Sequence, residues 1–146
     1  MAQLVTASLA IFGSIFVLFL SKAFFDPLYE LRKSIGEVRF NLAFHGATIH
    51  TPEARSPDAS NKAKEVLMKS SSDLLAKSHA ILFYEKLRFI FCLPSRQKIE
   101  RAAVILRGLS THVHEPGSKQ DNSDIIIKRV KSIEKLLDLK SLQDIG

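Results

Sequence analysis

The sequence predicts an all-α chain: one apolar helix long enough to cross a bilayer, followed by about four amphipathic helices in an antiparallel bundle. Three observations predict it. All 21 basic and 15 acidic side chains lie from Lys22 onward, so the leader carries no charge. Beyond it, apolar residues recur at spacings of three and four, the period of a helix face. No stretch shows sustained period-two alternation or a hairpin dipeptide, and neither an internal repeat nor a low-complexity segment occurs. With 146 residues, 46% of them hydrophobic, and a net charge of +6, the chain suits one compact domain plus one appendage.

The leader is the strongest signal. Residues 4–25 carry only Lys22 as a charge, and a helix of that length reaches roughly 33 Å, the thickness of a hydrocarbon core. Lys22 can snorkel to a headgroup while Phe24 and Phe25 lie at the interface. Two other readings compete. One is a buried core helix. The other is a cleavable signal peptide, since Ser21-Lys22-Ala23 places small residues where a signal peptidase reads, although no Lys or Arg precedes the apolar stretch. As an anchor the leader is oriented by the Lys/Arg bias. Lys22, Arg32, Lys33 and Arg39 all follow the span, which places a single-pass chain with its C-terminal domain in the cytoplasm. The expected division is 1–25 as transmembrane anchor and 26–146 as cytoplasmic helical domain. Gln3, Thr6, Ala7, Ala10, Gly13, Ser14, Val17 and Ser21 fall on one mostly small-residue stripe. Such a stripe lets backbones approach and is a candidate helix–helix interface in lipid.

Asp26-Pro27 reads as a helix start, with Asp26 as cap and Pro27 at the first position, so a kink or break is expected there. Leu28, Leu31, Ile35, Val38 and Leu42 then form one seam to about His50, widened by Phe40 and Phe44. The polar residues 51–60 form a loop. A second helix starts near Ser56-Pro57 or Ser60 and carries Ala63, Val66, Leu67, Ser70, Leu74 and Leu75, with the serine run at 70–72 a place to bend. Residues 80–93 are too few to span. They read either as a buried core helix or as an interfacial helix whose Lys86 and Arg88 face headgroups while Phe89 and Phe91 dip into the acyl boundary. After Pro94-Ser95, Ile99, Ala102, Leu106, Leu109 and Val113 make a further seam that Pro116-Gly117 closes. Beyond a polar loop at 118–123, Ile126, Val130, Ile133 and Leu137 make the last one, and the tail after Lys140 frays.

Chemistry is sparse by comparison. The single cysteine, Cys92, excludes an intrachain disulfide and every multi-cysteine metal framework. No Asn-x-Ser/Thr acceptor, Walker loop, G-x-S-x-G or G-x-G-x-x-G occurs. Among the five histidines, His112 and His114 are weak metal candidates, because residues two apart converge only where a helix has unwound. No catalytic residue, metal or cofactor is assigned. The basic residues Arg96, Arg101, Arg107, Lys128, Arg129 and Lys131 are interspersed with acidic ones, so anionic lipid headgroups are a nearer polyanion than nucleic acid.

The function expected from this architecture is a membrane-anchored helical interaction or scaffold module. Its partners are the bilayer and either a second copy or another membrane protein. A membrane-active effector that inserts both the leader and residues 80–93 is the alternative. A secreted helical domain is what a cleaved leader would leave.

Overall fold

A computed structural model describes residues 12–50, 56–114 and 119–139, and every regular element among them is helical. Six helices follow one another: α1 (Phe12–Phe44), α2 (Gly46–His50), α3 (Pro57–Ala80), α4 (Tyr84–Ile90), α5 (Arg96–His114) and α6 (Lys119–Leu136). The four long ones form the expected antiparallel bundle, in which α3 lies between α1 and α5 and α6 packs on α5. Three pairs of contacts set this register. Between α1 and α3, Asn41 Nδ2 donates to Ser70 Oγ at 3.0 Å and Lys77 pairs with Glu30 at 3.5 Å. Between α3 and α5, Ser71 Oγ donates to the Ala103 carbonyl at 2.8 Å and His79 meets Glu100 at 3.4 Å. Along α5 and α6, the Arg129 guanidinium lies against Gly108, and Lys98 reaches Asp138 at 3.6 Å.

The seams read from the sequence are the core. Leu28, Leu31, Ile35, Val38 and Leu42 of α1 are buried, as are Ala63, Leu67 and Leu74 of α3. From α5 come Ile99, Ala102, Leu106, Leu109 and Val113, and from α6 Ile126 and Ile133, with Leu137 just beyond. Truncating any of these leucines to alanine costs about 2–5 kcal/mol, depending on how far the site collapses.

Four local expectations are corrected. Pro27 does not break the chain into two helices. Residues Ser21–Phe25 form a π turn in which the Asp26 N–H donates to the Ser21 carbonyl, and the helix continues through Pro27. Proline lacks an N–H and crowds the carbonyl four residues back, and a widened turn immediately before it relieves both. Asp26 is therefore helical and no side chain caps that point. Secondly, Phe40 and Phe44 do not widen the buried face. They are 63% and 70% exposed and stack on each other at 5.5 Å on the outside of α1. Thirdly, α1 stops at Phe44, and after a turn at His45 the short α2 crosses the end of the bundle, burying Thr48 and Ile49. Fourthly, the serine run does not interrupt α3. Ser70 and Ser71 are used between helices, and Ser72 Oγ donates back to the Met68 carbonyl at 3.1 Å.

At its start α3 follows the sequence reading, with Ser56 Oγ accepting from the Ala59 N–H and Pro57 in the first turn. The last helix begins at Lys119, inside the stretch expected as a loop. Residues 51–55, 115–118 and 140–146, which include Pro116-Gly117 and the tail, lie outside the described residues.

Candidate functional site

Of the sequence-predicted site residues, Phe25 and Phe91 meet at one end of the bundle, where α1 leaves it. Every residue from Phe12 to Phe19 is exposed, and only the part of α1 beyond the π turn enters the core. Helix α1 is the one described helix long and apolar enough to cross a membrane. Phe12, Ile15, Phe16, Val17, Leu18 and Phe19 stand 58–72% exposed around it, a circumference that water disfavours and lipid accepts. Gly13 and Ser14 lie on this bare stretch, and a Cβ added at Gly13 would meet nothing within 4 Å. Val17 is 61% exposed and Ser21 is half-buried in the π turn. Gln3, Thr6, Ala7 and Ala10 lie outside the described residues.

At the point of exit Lys22 is exposed, Phe24 half-buried and Phe25 57% exposed. The Phe25 ring meets Phe91 edge to face, with centroids 6.1 Å apart, and Arg32 Nη2 donates to the Phe91 carbonyl at 2.7 Å. These two contacts bring residues 80–93 beside the base of the apolar helix, a neighbourhood that separation along the chain conceals.

The segment is not the single continuous helix expected of it. Ile81 ends α3, and a chain reversal at Phe83 with φ 55° leads into the short α4. A second reversal at Cys92 with φ 49° leads out. Left-handed backbone at residues bearing a Cβ costs roughly 1–2 kcal/mol each, so packing must hold both corners. On the inner side Ile81, Tyr84 and Leu93 are buried. Tyr84 Oη donates to the Pro94 carbonyl at 2.5 Å. The Arg96 guanidinium sits 5.2 Å from the Tyr84 ring centroid and donates to the Ser78 and Ile81 carbonyls at 3.3 and 3.5 Å. Burial, with Glu85 adding to it, pushes the Tyr84 phenol up to about 12, against the opposing pull of Arg96 and Arg88.

Outside, Leu82, Phe83, Phe89 and Ile90 are 59–74% exposed. Lys86 is exposed, while Arg88 is held 2.7 Å from Glu85 and 4.2 Å over the Phe89 ring. Beside this surface, Lys22, Asp26, Pro27, Glu30, Lys77 and Ala80 line a depression of about 330 Å³. Phe83 and Ile90 are legible in the sequence as members of the apolar series of residues 80–93 but not as site residues, and Leu82 escaped that reading. A helical period smeared over residues 80–93 cannot show that two left-handed corners turn these side chains outward.

Elsewhere the chemistry is thin. Among the described residues no group of three or more His, Cys, Asp or Glu side chains is arranged to hold a metal ion. Helix α5 stays wound to His114, without the unwinding that a paired site at His112 and His114 would need, and the His114 side chain lies outside the described residues. His45 is half-buried against the Phe44 ring, 5.1 Å between centroids, and burial, with Lys62 nearby, holds its imidazole below 6.5. An open groove of about 750 Å³ between α5 and α6 is lined among others by Glu100, Arg101, Val104, Ser132 and Lys135, and the Ser132 hydroxyl donates to the Lys128 carbonyl at 2.7 Å. Comparison with family models, with curated proteins and with solved structures found no match to this chain.

Proposed function

We propose that the chain is a single-pass membrane-anchored interaction module, with residues 1–25 as anchor and 26–146 as a cytoplasmic bundle that binds a protein partner or a second copy of itself. The observation that carries this reading is α1, one unbroken helix that is bare and apolar at its start and built into the core from Leu28 onward. Such a helix makes location part of the fold, since the bundle cannot drift from whatever holds the apolar half. Orientation follows from Lys22, Arg32, Lys33 and Arg39 beyond the span. The surface offered to a partner is the outer stripe of α1, where Tyr29, Phe40 and Phe44 are 63–70% exposed and separated by eleven and four positions, hence on one face. Catalysis has no part in the proposal.

The test is fractionation of a C-terminally tagged full-length chain, with intact mass and protease access from each side of the membrane. A full-length mass in the membrane pellet and a cytosol-facing tag are expected. Loss of about 23 residues with release of soluble protein would make the leader a signal peptide and overturn the proposal. The exposed Leu82, Phe83, Phe89 and Ile90 also favour a second reading, a membrane-active effector. That reading requires growth arrest on expression, relieved by Phe89→Asp, and a harmless membrane-bound chain rejects it.

A further inference from the structure

We infer that residues 81–93 are a foot that rests in the headgroup and acyl boundary of the leaflet from which α1 emerges, so that the bundle touches the membrane at two points. The inference rests on the proposal that α1 spans the bilayer. Its occupant is the lipid surface, for three reasons on which the contacts agree.

The first is level. The apolar run ends at Phe25, which marks where hydrocarbon gives way to headgroups, and the Phe25 ring touches Phe91 of the foot. The second is composition. Four large apolar side chains, Leu82, Phe83, Phe89 and Ile90, stand 59–74% exposed on a segment that also carries the exposed Lys86 and the Arg88–Glu85 ion pair. Apolar tips with cations among them match the acyl boundary and the phosphates above it. The third is stiffness. Tyr84, Pro94 and Arg96 clamp the inner side through one buried hydrogen bond and two partly buried ones, and the corners at Phe83 and Cys92 are left-handed. The exposed side chains therefore cannot fold back into the core without giving up those bonds. The clamp also separates a foot from an inserted segment, because the seven residues of α4 reach only about 10 Å, a third of a hydrocarbon core.

The experiment uses the full chain, reconstituted in vesicles of phosphatidylcholine and phosphatidylglycerol. In a Cys92→Ser background, single cysteines at Phe16, Phe89, Ile90 or Thr111 carry an environment-sensitive fluorophore. Quenching is read from lipids bearing a nitroxide either at the headgroup or deep in the acyl chain. Phe16 is expected to be quenched from the deep position. Phe89 and Ile90 should be quenched several-fold more by the headgroup nitroxide than by the deep one, and Thr111, at the far end of α5, by neither. Deep quenching at Phe16 with Phe89 and Ile90 behaving like Thr111 overturns the foot and leaves the span standing. Deep quenching at Phe89 and Ile90 overturns it in favour of an inserted segment. A Phe16 label in water removes the span and the foot together. Far-UV circular dichroism of each labelled chain establishes that the bundle is intact.

Discussion

Tyr84 joins the inner surface of the foot to the start of α5, and its hydroxyl has a single role, donation to the buried Pro94 carbonyl. Tyr84→Phe keeps the ring and leaves that acceptor without its donor, which should lower unfolding stability by about 1–2 kcal/mol in a denaturant titration. The same residue sets an alkaline limit. Its folded pKa, about 12, lies above the ordinary 10.0, so the folded state holds the proton more tightly. This contribution is complete below pH 10 and is lost as pH rises through the folded value. Comparing wild type with Tyr84→Phe between those limits isolates it, since the other titrating groups are common to both. His45 works in the opposite sense. Its imidazole resists protonation because of burial and Lys62, so its contribution is present above pH 6.5 and is lost as pH falls through the lower folded value. An NMR titration should find the His45 midpoint below 6.5, and Lys62→Gln should raise it.

Individual helices carry their own tests. Gly36 lies exposed inside α1 and a Cβ there would meet nothing within 4 Å. Gly36→Ala should therefore stabilise the fold by roughly 0.5–1 kcal/mol, through reduced freedom of the unfolded chain alone. In the bare half of the same helix, Gly13→Leu is expected to weaken crosslinking between copies in membranes if the small-residue stripe pairs spans, and unchanged crosslinking would remove that interface. Much of this helix was legible in advance. The spacing of Leu28, Leu31, Ile35, Val38 and Leu42 named the buried seam residue by residue, because a period of three and four is the geometry of one helix face. The same spacing could not place Phe40 and Phe44, which extend the apolar surface in sequence and point away from α3 in space. Nor could it reveal the π turn, which is a change in which carbonyl each N–H meets, and hydrogen-bond register leaves no trace in composition. One extra residue in a turn rotates the apolar half relative to the core half by about 100°, so faces aligned by counting across residues 21–25 do not align in the helix.

For the molecule as a whole, the buried cluster begins at Leu28 and draws nothing from the apolar half of α1. A chain starting at Asp26 should accordingly keep the helicity and cooperative unfolding of the bundle by circular dichroism, while losing the Phe25–Phe91 contact and its sedimentation with membranes. That division between an apolar leader and a charged remainder was legible from composition alone. The foot was half legible: residues 80–93 stood out as too apolar for a loop and too short for a span. What could not be read was that α3 brings them back to the base of α1. That depends on antiparallel register, which here is set by pairs such as Asn41 with Ser70 and Lys77 with Glu30. The continuity of α1 has a mechanical side as well. Its 33 residues make a helix of about 50 Å, bare and apolar at one end and carrying the stacked Phe40 and Phe44 at the other. If the apolar half spans a bilayer, as proposed, it tilts to match the bilayer's thickness, and a tilt of about 10° about Phe25 would swing the Phe44 end, about 28 Å away, sideways by about 5 Å. On that proposal bilayer thickness would become a lateral displacement at the aromatic tip, and residues 81–93, in contact with Phe25 beside the pivot, would be the element positioned to resist it.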